Sequence, residues 1–176
     1  MNLHQLRHVI LEVGERFGVD LVYVVGSSAI FATLPAASDS ALTATRDVDL
    51  ALPPAAPVSA DQIEFVMGEG SDFDAAYGYY AQGVDLGTPK FAPAGWQDRA
   101  IELRVGKVTA RCMAIHDLAL AKYGAGREKD LQFNRALATL GALARTVLED
   151  LLPDVDTTPE HRGLIAARIA RDFAVR

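Results

Sequence analysis

Two short stretches, Val24-Val25-Gly26-Ser27-Ser28-Ala29-Ile30 and Arg46-Asp47-Val48-Asp49-Leu50, decide how this chain is read. The apolar run Asp20 to Val25 has the β-branched composition of a buried strand. Gly26-Ser27 follows it directly, where a glycine permits a tight turn and close approach of a ligand to the backbone. The next segment, Ser28 to Leu34, is expected to be a short helix whose free N–H groups face a phosphate held at the turn. Arg46 to Leu52 then reads as a second strand, stopped by Pro53-Pro54. Asp47 and Asp49 stand two apart on it, so their carboxylates project from one face. At about 6 Å and an effective dielectric of about 20 they repel by roughly 3 kcal/mol. A divalent cation removes that repulsion, and Mg²⁺ is commonly held by one or two carboxylates plus substrate phosphates.

Outward from this centre, Leu3, Leu6, Ile10, Val13 and Phe17 recur at helical spacing, so residues 2–17 form an amphipathic helix closed by Gly18. His4 and His8 lie four apart on it and read as parts of an exposed polar face, with no third metal ligand nearby. Pro35 to Thr45 is a small-residue loop. Ser59 is expected to cap a helix from Asp61 to Met67, ended by Gly68. Gly68 to Asp74 is turn-rich, and the aromatic, alternating run Tyr77 to Val84 reads as a third strand with Asp85 at its end. Residues 88–97 read as loop. Residues 100–104 and 107–114 flank Gly106 as a hairpin. From Ile115 the pattern turns helical: residues 116–123, 127–146, and a last helix from Thr158-Pro159 to about Phe173. The expected division is an α/β part, residues 1–114, with a helical part, residues 115–176, packed on it.

The 176 residues are half hydrophobic and 23% charged, a globular profile with room for a sizeable core. A net charge of −6 argues against nonspecific nucleic-acid binding over the whole surface and leaves only a local basic cleft open. Arg99, Arg104, Arg111, Lys122, Arg127 and Lys129 are the candidates for such a cleft. The single cysteine, Cys112, sits in an apolar run and reads as a buried structural thiol. With no intrachain disulfide and no apolar run long enough to span a membrane, a cytoplasmic location is expected.

The order of these motifs, Val25-Gly26-Ser27 and then Asp47-Val48-Asp49-Leu50, resembles the signature of the polymerase β-like nucleotidyltransferase superfamily. His116 to Asp130 (H-D-L-A-L-A-K-Y-G-A-G-R-E-K-D) looks like a helical segment of an uncharacterised bacterial nucleotidyltransferase-like family related to AbiEii and MenT-type toxins. So do Gly68 to Phe73, Tyr77 to Asp85 and Pro93 to Arg99, and the resemblance covers roughly residues 22–140. It implies an α+β fold: a nucleotidyltransferase-like mixed β-sheet with flanking helices, followed by a C-terminal helical part.

The resemblance also implies a metal-dependent transfer of a nucleoside monophosphate from an NTP to an acceptor, which is left open as tRNA, a protein or a small molecule. A toxin-like role with an antitoxin partner would follow from it. The alternative is a catalytically silent member that binds nucleotide or a protein partner. Asp47 and Asp49 would hold Mg²⁺ or Mn²⁺, and Gly26 and Ser27 would contact the β- and γ-phosphates. The superfamily uses a third carboxylate on the next strand, for which Asp85 is best placed and Glu102 is the reserve; Asp85 reads equally as a simple turn aspartate. Lys122 would reach triphosphate oxygens with Asp130 orienting it, and Arg127 and Lys129 would assist. Read from residues alone, Lys122 and Lys129 are seven apart and would share a face if a continuous helix carried both, and R-E-K-D is equally a solvated face with ion pairs of roughly 0.2–0.5 kcal/mol each. His116 and Asp117 read as helix-start residues with a capping role.

Overall fold

A computed structural model describes residues 1–174. Its centre is a five-stranded mixed sheet ordered β3-β2-β1-β5-β4, built from β1 (Leu21–Val24), β2 (Asp47–Ala51), β3 (Tyr80–Val84), β4 (Ile101–Val105) and β5 (Val108–Cys112). β1 runs antiparallel to β2 and parallel to β5, while β2 and β3 are parallel. β4 and β5 form the expected hairpin, with Gly106 at positive φ in the first central turn position.

Among the described residues eight α-helices flank the sheet: α1 (Leu3–Phe17), α2 (Ser40–Thr43), α3 (Ala60–Met67), α4 (Asp72–Tyr77), α5 (Ile115–Ala125), α6 (Glu128–Thr139), α7 (Arg145–Leu151) and α8 (Pro159–Asp172). α1 begins with a capping box between Asn2 and Gln5, buries Leu6, Val9, Ile10 and Val13, and ends at Gly18 in the left-handed region. It packs on β4 and β5, and α3 covers β3. α5 packs against the segment after β1 and against α6, α7 and α8, so one cluster of buried side chains runs from the sheet into the C-terminal helices. Among the described residues no helix is long and apolar enough to cross a membrane.

Several expectations are corrected. The short helix after the turn is present but wound as a 3-10 helix, Ser27–Ala32, and ends two residues before the expected Leu34. The loop at 35–45 contains the short helix α2, capped by Asp39. The third strand starts three residues late, because Ser71 caps α4 and Tyr77 and Gly78 end that helix. His8 does not lie on a bare polar face. Its ring stacks on Phe73 and meets Tyr77 and Tyr79 edge-on, with Nδ1 2.9 Å from the Tyr79 hydroxyl. The helical run after Arg127 is broken into α6 and α7 at Gly141, which has positive φ.

Candidate functional site

Asp47 and Asp49 lie on β2, where Val48 and Leu50 alternate with them and are fully buried. The pleat therefore turns both acids to the opposite side, into a cleft of about 480 Å³ between the sheet, the turn after β1, and helices α5 and α6. Gly26 sits against Asp49: a Cβ built on it would lie 1.6 Å from Asp49 Oδ2. Its backbone is extended, with φ −100° and ψ −164°. The glycine is thus required by space and not by conformation, and what approaches it in this structure is the chain's own carboxylate. The Thr45 hydroxyl donates to Asp47 Oδ1. Burial, with Asp47 adding to it, pushes the Asp49 carboxyl up to about 6, while Lys122, Lys129 and Arg127 pull the other way.

Across the cleft, Lys122 Nζ lies 2.9 Å from Ser27 Oγ and 3.1 Å from Asp130 Oδ1, and 4.3 Å above the Phe133 ring. Lys122 is only 9% exposed and Asp130 is fully buried. Arg127 closes the arrangement, its Nε 2.6 Å from the other Asp130 oxygen. Burial lowers the Lys122 ammonium and Asp130 counters it. Burial by itself would raise Asp130, but hydrogen bonds and charge from Arg127 and Lys122 outweigh it and hold the acid below its ordinary value. With two cations on one carboxylate, the ionised state of Asp130 is the firmer half of the pair. Arg127 and Lys129 are exposed on the rim, where they line the cleft beside Lys90.

Lys122 and Lys129 do not share a continuous helix, because Gly126, at φ 64°, ends α5 in the left-handed region. The chain reverses and α6 starts afresh, which is what brings Asp130, in its first turn, back onto Lys122.

Asp85 is not brought to the site. β2 and β3 pair in parallel with Asp47 opposite Tyr80 and Asp49 opposite Gln82. Gln82 and Val84 line the cleft. Asp85 has the other parity and lies exposed in a turn, its carbonyl accepting from the Thr88 N–H. Glu102, the reserve, is on edge strand β4, three strands from β2, beside Arg104 and Arg111. The residue standing at the expected third-acid place is Gln82, whose signal in the sequence was only its position in the alternation. Among the described residues no group of three or more His, Cys, Asp or Glu is placed to hold a metal. Two carboxylates on one face, in mutual repulsion, nevertheless fit a hard divalent cation that takes its other ligands from phosphate and water.

The remaining candidates serve the fold. Asp117, 1% exposed, accepts from Arg99 at 2.6 Å and 3.1 Å. His116 caps a different helix from its own: its Nε2 accepts the Ala144 N–H at the start of α7. Ser28 turns into the core, where its hydroxyl has no partner among the described residues. Cys112 is buried and its thiol is pushed up to about 12, as a structural cysteine. The six-residue basic cleft does not form, since Arg99 is tied to Asp117 and Arg104 and Arg111 lie on the hairpin. Residues 88–91 are loop as expected, and they form one wall of the cleft, with Phe91 packed against Gly124 (a Cβ there would lie 2.3 Å from the Phe91 side chain) and stacked on His161.

A mixed sheet with flanking helices, a glycine turn after the first strand and two acids on the next is the architecture of a nucleotidyltransferase-like α+β protein. The chain belongs to the family described as nucleotidyltransferase of unknown function (DUF6036), which matches residues 2–162. Comparison with curated proteins and with solved structures finds no match.

Proposed function

We propose that the chain moves a nucleoside monophosphate from an NTP to an acceptor hydroxyl, with Mg²⁺ or Mn²⁺ held by Asp47 and Asp49. The observation that carries this reading is the pairing across one cleft: two repelling carboxylates on β2, and opposite them a lysine pinned between Ser27 and Asp130. When bound, the metal neutralises charge on the transferring phosphoryl group and orients it. The Ser27 hydroxyl and the backbone at Gly26 and Ser27 take the β- and γ-phosphate oxygens. Lys122, held by Asp130, adds its positive charge there, and Arg127 and Lys129 extend that charge to the rim. In the transfer the acceptor oxygen bonds to the α-phosphorus, pyrophosphate leaves, and the hydroxyl proton passes to water in the open cleft.

An RNA acceptor would draw on a broad basic surface, whereas the cations gathered here are Lys90, Lys122, Arg127 and Lys129. A protein or small-molecule acceptor fits that modest charge better, and a toxin-like role restrained by an antitoxin is compatible with a protein or an RNA target. Incubating the chain with labelled NTPs, Mg²⁺ or Mn²⁺ and a cell extract should label an acceptor, and Asp49→Asn should abolish the labelling. Absence of any nucleotide-dependent thermal shift, with either metal, would sink the reading. The neutral Gln82 favours a second reading, a member that binds nucleotide without transferring it. That reading expects the thermal shift with no labelled product.

A further inference from the structure

We infer that the cleft takes its nucleotide with a single divalent ion, and that Gln82 is the residue that limits it to one. The inference rests on the nucleotidyl-transfer reading and concerns the same site. Gln82 faces Asp49 directly across the β2–β3 pair, on strands spaced about 4.8 Å apart, and both side chains line the cleft. A carboxylate at that point would join Asp47 and Asp49 in a three-acid cluster able to hold two ions. A carboxamide is neutral, offering one oxygen and an NH₂ donor, so it adds no charge to offset a second dication.

The other surroundings leave no substitute. The remaining members of that face of β3 are Tyr80, whose ring lies under the Arg46 guanidinium, and Val84. Asp130 has both oxygens committed to Lys122 and Arg127. The positive charge that a second ion would bring is supplied instead by Lys122, Arg127 and Lys129 on the facing helices. Two mutually repelling acids and three cations around one polyphosphate describe a site completed by one ion.

The test counts Mn²⁺ bound to the full chain in the presence of an α,β-methylene NTP analogue, which binds but cannot be cleaved. Loss of the free-ion electron paramagnetic resonance signal gives the count, after subtraction of a titration of analogue alone. One ion per bound nucleotide is expected for the native chain and for Gln82→Asn, rising to two in Gln82→Glu or Gln82→Asp. Circular dichroism and a melting curve establish that each variant is folded. Two ions in the native chain, or one in both folded acidic variants, overturns the inference while leaving the transfer reading in place. A native chain that binds no nucleotide and no nucleotide-dependent ion overturns both.

Discussion

Replacing Asp49 by asparagine should make the ligand-free protein more stable at pH 8. Burial and the neighbouring Asp47 raise the carboxyl from 3.8 to about 6. Each unit corresponds to about 1.4 kcal/mol between the two protonation states, so ionising Asp49 in the fold costs about 3 kcal/mol. The sign follows from proton uptake: between pH 4 and pH 6 the native state holds this proton and the unfolded chain has lost it. Stability therefore falls as pH rises through that window, and the full penalty stands above pH 6. Asparagine keeps the shape without the charge, so the variant should gain about 2–3 kcal/mol at pH 8 and almost nothing at pH 4. For a domain of this size that is a melting-temperature rise of roughly 4–12 °C. Urea unfolding of both proteins at several pH values measures it. A gain that is absent at pH 8, or equal at pH 4 and pH 8, would refute the claim that the cleft holds Asp49 under electrostatic strain. The stabilised variant should at the same time lose its thermal response to NTP with Mg²⁺.

Gly26→Ala places a methyl carbon where Asp49 Oδ2 now lies; the short carboxylate can rotate away, so a stability cost of about 1–3 kcal/mol is expected, together with at least tenfold weaker metal-dependent nucleotide binding by calorimetry. Asp130→Ala strands the Lys122 ammonium and should cost about 3–5 kcal/mol in urea unfolding, whereas Lys122→Met leaves Asp130 paired with Arg127 and sets a thioether against Phe133, at less than about 1.5 kcal/mol. Cys112 should resist a thiol reagent such as DTNB at pH 8 in the folded protein and react on unfolding, since its thiol is both buried and raised to about 12.

The centre of the fold was legible because its signals are local. An apolar run, a glycine and an alternating D-V-D-L place β1, the turn and β2 without reference to the rest of the chain. The same holds for the hairpin at Gly106, the Gly18 cap, and the Thr158-Pro159 helix start. The third acid was misplaced for a reason that lies outside local pattern. Alternation separates the two faces of β3, but only the pairing with β2 fixes which face meets Asp49, and a shift of one residue exchanges them. Taking Tyr77 and Gly78 into the strand, when they close α4, left that parity unanchored. Gly124 and Gly126 both fall in the gap expected between the helices at residues 116–123 and 127–146, where nothing local tells their roles apart. In the structure Gly124 makes room for Phe91, whereas Gly126 reverses the chain. Neither the Phe91 wall nor the Lys90 rim had any periodic trace, since loop residues are placed by the helices they lie on.

The reversal at Gly126 also makes the segment that follows it intolerant of length change. Only three residues separate that glycine from Asp130, and each helical residue advances the side chain by about 100° around the axis. Inserting a single residue there would swing the carboxylate a quarter-turn or more away from its lysine, whatever amino acid was chosen. The spacing between these two positions is therefore held to the residue, independently of what the side chains of Arg127, Glu128 and Lys129 themselves contact.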